Sequence, residues 1–129
     1  MIVGIPSHQI EAEWENIRPF FENFEKRSHG RWTVESLLRN VLSCQNQVFS
    51  VNNYQALVLT SVMPESVNID ACSGSGRKEW QDEVVDHITE WAKVLGKKYV
   101  ISMARPGWSK FFVPKGFKEI HREYLIEVK

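Results

Sequence analysis

Three strand-like runs follow one another between Gln47 and Cys72, and they constrain the fold more than any other feature of the chain. QVFSV and YQALVLTSV are rich in β-branched and aromatic residues. Asn52-Asn53 stands between them and tolerates the positive φ of a tight turn, which predicts a β-hairpin. Pro64 closes the second run, and Ser66 to Cys72 (SVNIDAC) alternates in character as a third strand. Connections this short leave no room for a crossover, so the three runs form an antiparallel meander.

Helical periodicity flanks the meander on both sides. Ile10, Trp14, Ile17, Phe21 and Phe24 recur at spacings of four and three, which predicts an amphipathic helix from about His8 to Arg27, kinked or split at Pro19. Thr33 is a good N-cap for a second helix that carries Val34, Leu37, Leu38, Val41 and Leu42 on one face. After the meander, Trp80, Val84, Ile88, Trp91, Ala92 and Leu95 share the face of a third helix that stops at Gly96. Lys98 to Met103 reads as a strand buried on both faces. Trp108 to Val113 reads as a short helix ended by Pro114-Lys115-Gly116, and Tyr124 to Val128 alternates as a terminal strand. A meander followed by a strand-helix-strand crossover gives a single domain over 1–129, an α/β (α+β) fold with a mixed, mostly antiparallel sheet of about six strands and helices on both faces.

Charge is distributed unevenly although the formal net charge is zero. Up to Leu95 there are 8 basic and 13 acidic residues, and from Gly96 onward 8 basic and 3 acidic. A basic second part suits an anion such as a cofactor phosphate, or an acidic partner surface. Its basic residues are not interleaved with an exposed aromatic series, which disfavours a nucleic-acid module. No apolar run approaches the roughly 20 residues that span a bilayer, and MIVGIP lacks the basic start of a secretory signal. A soluble cytoplasmic protein is the expectation. Cys44 and Cys72 form no CxxC pair, and His8, His29, His87 and His121 have no metal-ligand spacing, so neither a disulfide framework nor a metal centre is expected.

The stretch DACSGSGRKEW, Asp70 to Trp80, lies between a strand and a helix. It is not a Walker-type phosphate loop, because G-x-x-x-x-G-K-[ST] is absent. Two readings stay open for Gly74-Ser75-Gly76: an amide nest with Arg77 and Lys78 beside it, or a turn that only leads the chain into its helix.

EWAKVLGKKYVISM resembles the end of the central helix and the following strand of the GCN5-related N-acetyltransferase (GNAT) fold, and FFVPKGFKEI resembles that family's closing element. The resemblance covers essentially the whole chain. The run AKVLGKKYVISMARPGWSKFFVPKGFKEI is similar to a divergent branch encoded by bacteriophages, often among virion genes. The implied function is acetyl transfer from acetyl-CoA to an amine. A candidate cofactor-binding set follows: Cys72, Gly74, Ser75, Gly76, Arg77 and Lys78, with the Cys72 thiol itself reading as buried and structural. In the family, the strand before the central helix ends in R/Q-x-x-G-x-G/A; counted back from Trp91-Ala92 and Gly96, its glycine positions fall on Glu79 and Gln81. Phe112 stands where many members have a tyrosine that protonates the leaving thiolate, and Arg105 where an asparagine is common.

Removal of a proton from the amine needs a carboxylate or a bound water on the central strands. Asp70 is the leading candidate, with Glu65 behind it. The alternative is a catalytically inactive GNAT-fold protein that binds a partner, such as a phage structural protein, through Arg105 and Trp108. It would be found in the bacterial cytoplasm or with the virion.

Overall fold

The computed structural model describes residues 1–103, 108–120 and 124–128. Its elements run β1 (Ile2–Ile5), α1 (Trp14–Arg27), α2 (Val34–Leu42), β2 (Gln47–Val51), β3 (Ala56–Val62), β4 (Ser66–Gly74), α3 (Arg77–Val94), β5 (Tyr99–Ser102) and α4 (Ser109–Phe112), with 3-10 turns at Ser7–Gln9 and Val113–Lys115. The five strands form one sheet in the order β1-β2-β3-β4-β5. The first four are antiparallel neighbours, and β5 lies parallel to β4 after the α3 crossover.

Strand alternation divides the core into two layers. Val48, Leu57 and Leu59 meet Ile10, Ile17, Phe21, Phe24, Leu37 and Val41 from the α1–α2 side. Phe49, Val51, Val58, Val67 and Ile69 meet Trp80, Val84, Ile88 and Ala92 of α3 on the other side. Because both faces of the sheet are covered, β3 is buried continuously from Ala56 to Ser61. His87 lies edge-on to Phe49 at 5.7 Å, at the margin of the α3 layer.

Local chemistry explains most element ends. Thr33 accepts from the Ser36 backbone N–H while the Ser36 hydroxyl accepts from the Thr33 N–H, a reciprocal capping box at the start of α2. Thr33→Ala is expected to cost about 1 kcal/mol, read as a lowered midpoint in chemical denaturation. Gly96, at φ 71, ends α3 and lets Lys97 N–H return to the Ala92 carbonyl.

Several sequence expectations are corrected. α1 starts at Trp14, after a separate 3-10 turn at Ser7–Gln9, and continues through Pro19. Pro19 is on the exposed side of the helix, where the carbonyl it leaves unbonded meets water. The hairpin turn uses Asn52, Asn53 and Tyr54, all at positive φ, so β3 begins at Ala56. Among the described residues the sheet has five strands where about six are expected: Tyr124 to Val128 joins no ladder there, and Tyr124, Ile126 and Val128 are exposed. In consequence β5 has no neighbour beyond it among the described residues. It is an edge strand, with Tyr99 58% exposed, and not a strand buried on both faces.

Candidate functional site

Asp70 owes its position to an irregularity in the β3–β4 ladder. Leu59 pairs with Ala71 and Thr60 with Ile69, so Asp70 is an extra residue with no partner opposite it. The bulge breaks the alternation of β4. Ile69 packs in the α3 layer and Ala71 in the α1–α2 layer, and Asp70 opens into a cavity of about 490 Å³ that Trp32, Asn46, Ser61 and Met63 also line. Asn46 Nδ2 ties this site together, donating to the Thr60 carbonyl at 3.0 Å and to Asp70 Oδ2 at 3.2 Å.

Burial raises the Asp70 carboxyl above the usual carboxylate range, and the Ser61 hydroxyl and Asn46 amide offset part of that rise. Ser61, 6% exposed, has no hydrogen bond of good geometry to its Oγ, so its effect on Asp70 is one of proximity. A half-buried carboxylate with a raised pKa that opens into a cavity can accept a proton from a bound ammonium.

Glu65 is not brought to this cavity. It lies in the β3–β4 turn, where its carboxylate pairs with Lys98 at 3.1 Å and its carbonyl accepts from the N–H groups of Lys98 and Tyr99. Cys72 points the other way from Asp70, into the α3 layer, and burial pushes its thiol up to about 12. At neutral pH it is a protonated structural thiol and a poor nucleophile.

A second cavity, of about 650 Å³, opens at the start of α3 and is lined by Arg77, Lys78, Gln81, Lys110, Phe111 and Lys115. Lys115 pairs with Asp82, and the Arg77 guanidinium lies 4.4 Å from the centre of the Trp108 ring. Lys78 and Lys110 meet no carboxylate among the described residues. Gln81 turns a buried Oε1 without a hydrogen-bond partner toward the same region.

The strand-to-helix junction falls at Ser75-Gly76, one turn earlier than the count back from Trp91-Ala92 implies. Gly74 and Gly76 therefore precede the helix, while Glu79 and Gln81 lie within its first turns. Gly74 is the last ladder residue of β4, opposite Ala56. Gly76, at φ 63, is the N-cap of α3. Gln55 donates from Nε2 to the Ser75 carbonyl at 3.1 Å and to Glu79 Oε2 at 2.8 Å, and Trp80 Nε1 donates to the same carbonyl at 2.8 Å. Ser75 N–H is used by the Gln55 carbonyl, but the N–H groups of Gly76, Arg77 and Lys78 have no acceptor among the described residues. Amides without an acceptor at the positive end of an 18-residue helix attract negative charge, and the Glu79 carboxylate of the first turn already lies there, its Oε1 3.1 Å from where a Cβ on Gly76 would stand.

No protein-family model and no curated protein matches the chain in sequence. Solved structures do match in shape. A probable acetyltransferase superposes with a TM-score of 0.72 at 10% identity, covering 100% of this chain and 98% of that one. The fold is that of the GCN5-related N-acetyltransferases. The ribosomal-protein-alanine N-acetyltransferase of Brucella melitensis biovar Abortus 2308 gives 0.71 at 10% identity, over 100% and 99% of the two chains. An aminoglycoside N-acetyltransferase in complex with CoA gives 0.61 at 14% identity, over 100% and 99%.

On this GNAT scaffold, Lys110, Lys115 and Gln81 are additions to the cofactor-side residues named from sequence. The charge imbalance after Gly96 was the only signal for the lysines, because helical spacing does not reveal that α4 returns to the start of α3. Asn46 and Ser61 carried no sequence signal; they reach Asp70 only through strand pairing. Phe112 stacks on Trp108 at 5.4 Å and contacts Phe117, so it closes an aromatic cluster. Arg105 lies outside the described residues, and Trp108, half-buried, faces Arg77, Phe111 and Phe112.

Proposed function

We propose that this chain is an acyl-CoA-dependent N-acetyltransferase. The observation that carries the reading is the gathering of Arg77, Lys78, Lys110 and Lys115 at one cavity next to the start of α3, where the N–H groups of Gly76, Arg77 and Lys78 have no acceptor among the described residues. That donor set fits the phosphates of CoA, with Lys78 and Lys110 as point charges and the amides as directional donors. Glu79 keeps its negative charge beside these amides, held by the neutral Gln55 amide, but it does not line the cavity, where four basic side chains outnumber it.

Acetyl-CoA, when bound, supplies the activated acyl carbon. The chain's own part is at the other end of the reaction. Asp70 takes the proton that the amine must lose before its lone pair can form the new C–N bond, directly or through a bound water. The C–S bond breaks as that bond forms, and CoA leaves as a thiolate. Phe112 has no proton to give, so the thiolate takes its proton from solvent. β4 assists by geometry: its hydrogen bonding to the β5 chain ends at Ile69, whose carbonyl accepts from Met103 N–H. From Asp70 to Gly74, that edge has no strand beside it among the described residues and is open to a ligand.

The non-catalytic alternative relies on Arg105 and Trp108 as partner anchors. Trp108 is packed against Phe112 and covered by Arg77, so part of the ring that a partner would use is engaged within the chain. Calorimetric titration with acetyl-CoA tests the transferase reading. Binding is expected, at least about tenfold weaker in the K78E/K110E double variant and weaker as salt is raised. No heat and no thermal shift at millimolar acetyl-CoA would overturn it.

A further inference from the structure

We infer that the Asp70 cavity takes a primary amine with a single positive charge and a hydroxyl-bearing body, of the amino-sugar or amino-alcohol kind, and not a polycation. The inference rests on the transferase reading for what happens to the amine, and on the cavity alone for which amine enters.

Charge is the first argument. Asp70 is the only carboxylate that lines the cavity among the described residues. Glu65, the next acid along the chain, is committed to Lys98 in the turn. One carboxylate compensates one ammonium. Each further ammonium of a polyamine or a polycationic aminoglycoside would lose hydration on entry without gaining a counter-charge.

The rest of the lining sets the body of the ligand. The Ser61 Oγ is closed to solvent and the Asn46 amide is shared between the Thr60 carbonyl and Asp70, so neither is the group that a ligand meets. Gln45 adds an amide with no partner among the described residues, and Trp32 offers a flat apolar surface. Donors and acceptors beside one aromatic side chain suit a hydroxylated carbon skeleton better than an alkyl amine.

The test is titration of the protein, without acetyl-CoA, with D-glucosamine, D-glucose, spermidine and sisomicin at physiological salt. Glucosamine is expected to bind at least about tenfold more tightly than glucose, and that advantage should vanish in Asp70→Asn. Gln45→Ala should weaken glucosamine about three- to tenfold while leaving acetyl-CoA affinity unchanged. Spermidine and sisomicin should bind no more tightly than glucosamine. Tighter, Asp70-dependent binding of either polycation would overturn the inference, as would failure of glucosamine to outbind glucose. Either result together with normal acetyl-CoA binding would sink only this assignment. Loss of acetyl-CoA binding with the amine preference intact would instead sink the transferase reading.

Discussion

Gly74→Ala is expected to lower the melting temperature by about 10 °C, a loss of about 2–4 kcal/mol for a domain of this size. An alanine Cβ at this position would stand 2.4 Å from the Gln55 carbonyl oxygen, 2.4 Å from Ala56 Cβ and 2.6 Å from Ala56 Cα. Two of these are backbone atoms at the start of the neighbouring strand, so relief requires β3 and β4 to separate at the end of their ladder, where Ala56 is fully buried. Gly116→Ala is the control. It lies at φ 95 with nothing within 4 Å, so its substitution costs only the strain of the left-handed conformation, about 1 kcal/mol. Thermal denaturation followed by circular dichroism measures both. Equal shifts for the two variants would mean that the close approach of β4 to Gln55 and Ala56 is not what requires glycine at position 74.

The same residue shows where sequence reading works in this chain and where it stops. Local rules are legible. The Thr33 cap, the Gly96 stop and the apolar stripe from Trp80 to Ala92 each depend on residues within one or two turns, and each appears in the structure. By sequence alone the third strand ends at Cys72, because Gly-Ser-Gly carries no strand pattern. In fact β4 runs two residues beyond Cys72, held in the ladder by Leu57 and Ala56. The bulge at Asp70 is illegible for a related reason: it is a mismatch of register between two strands, and neither strand encodes it alone. The alternation of Tyr124, Ile126 and Val128 fulfils the local rule for a strand, yet no ladder among the described residues includes them. Period-two alternation is a necessary condition, and pairing has to come from a neighbour that the pattern does not name.

Asp70→Asn is expected to cut acetyl transfer by about 10²- to 10⁴-fold while making the folded protein more stable at neutral pH. The first effect follows from loss of the only carboxylate that lines the cavity among the described residues. The second follows from the direction of its pKa. Burial raises the Asp70 carboxyl in the folded state, so folding favours the protonated form. Stability from this group is therefore fully present below the unfolded-state value and is lost as pH rises through the higher folded-state value. At pH 7 the ionised carboxylate is a burden on the fold. Asparagine removes the charge and still accepts from Asn46, and its own amide can donate to the unpartnered Ser61 Oγ. The variant should melt about 2–4 °C above the natural protein at pH 7, and the gap should close as the pH falls toward 4. A structural carboxylate would show the reverse, with removal lowering the melting temperature at neutral pH. A gain in stability paired with a loss of turnover is what a group retained for chemistry at a cost to folding produces. If turnover survives in Asp70→Asn, the proton leaves by another route and Asp70 is not the base. If the variant melts lower at pH 7, the desolvation of this carboxylate is more than repaid by Asn46 and Ser61, and the cavity is a structural feature of the bulge.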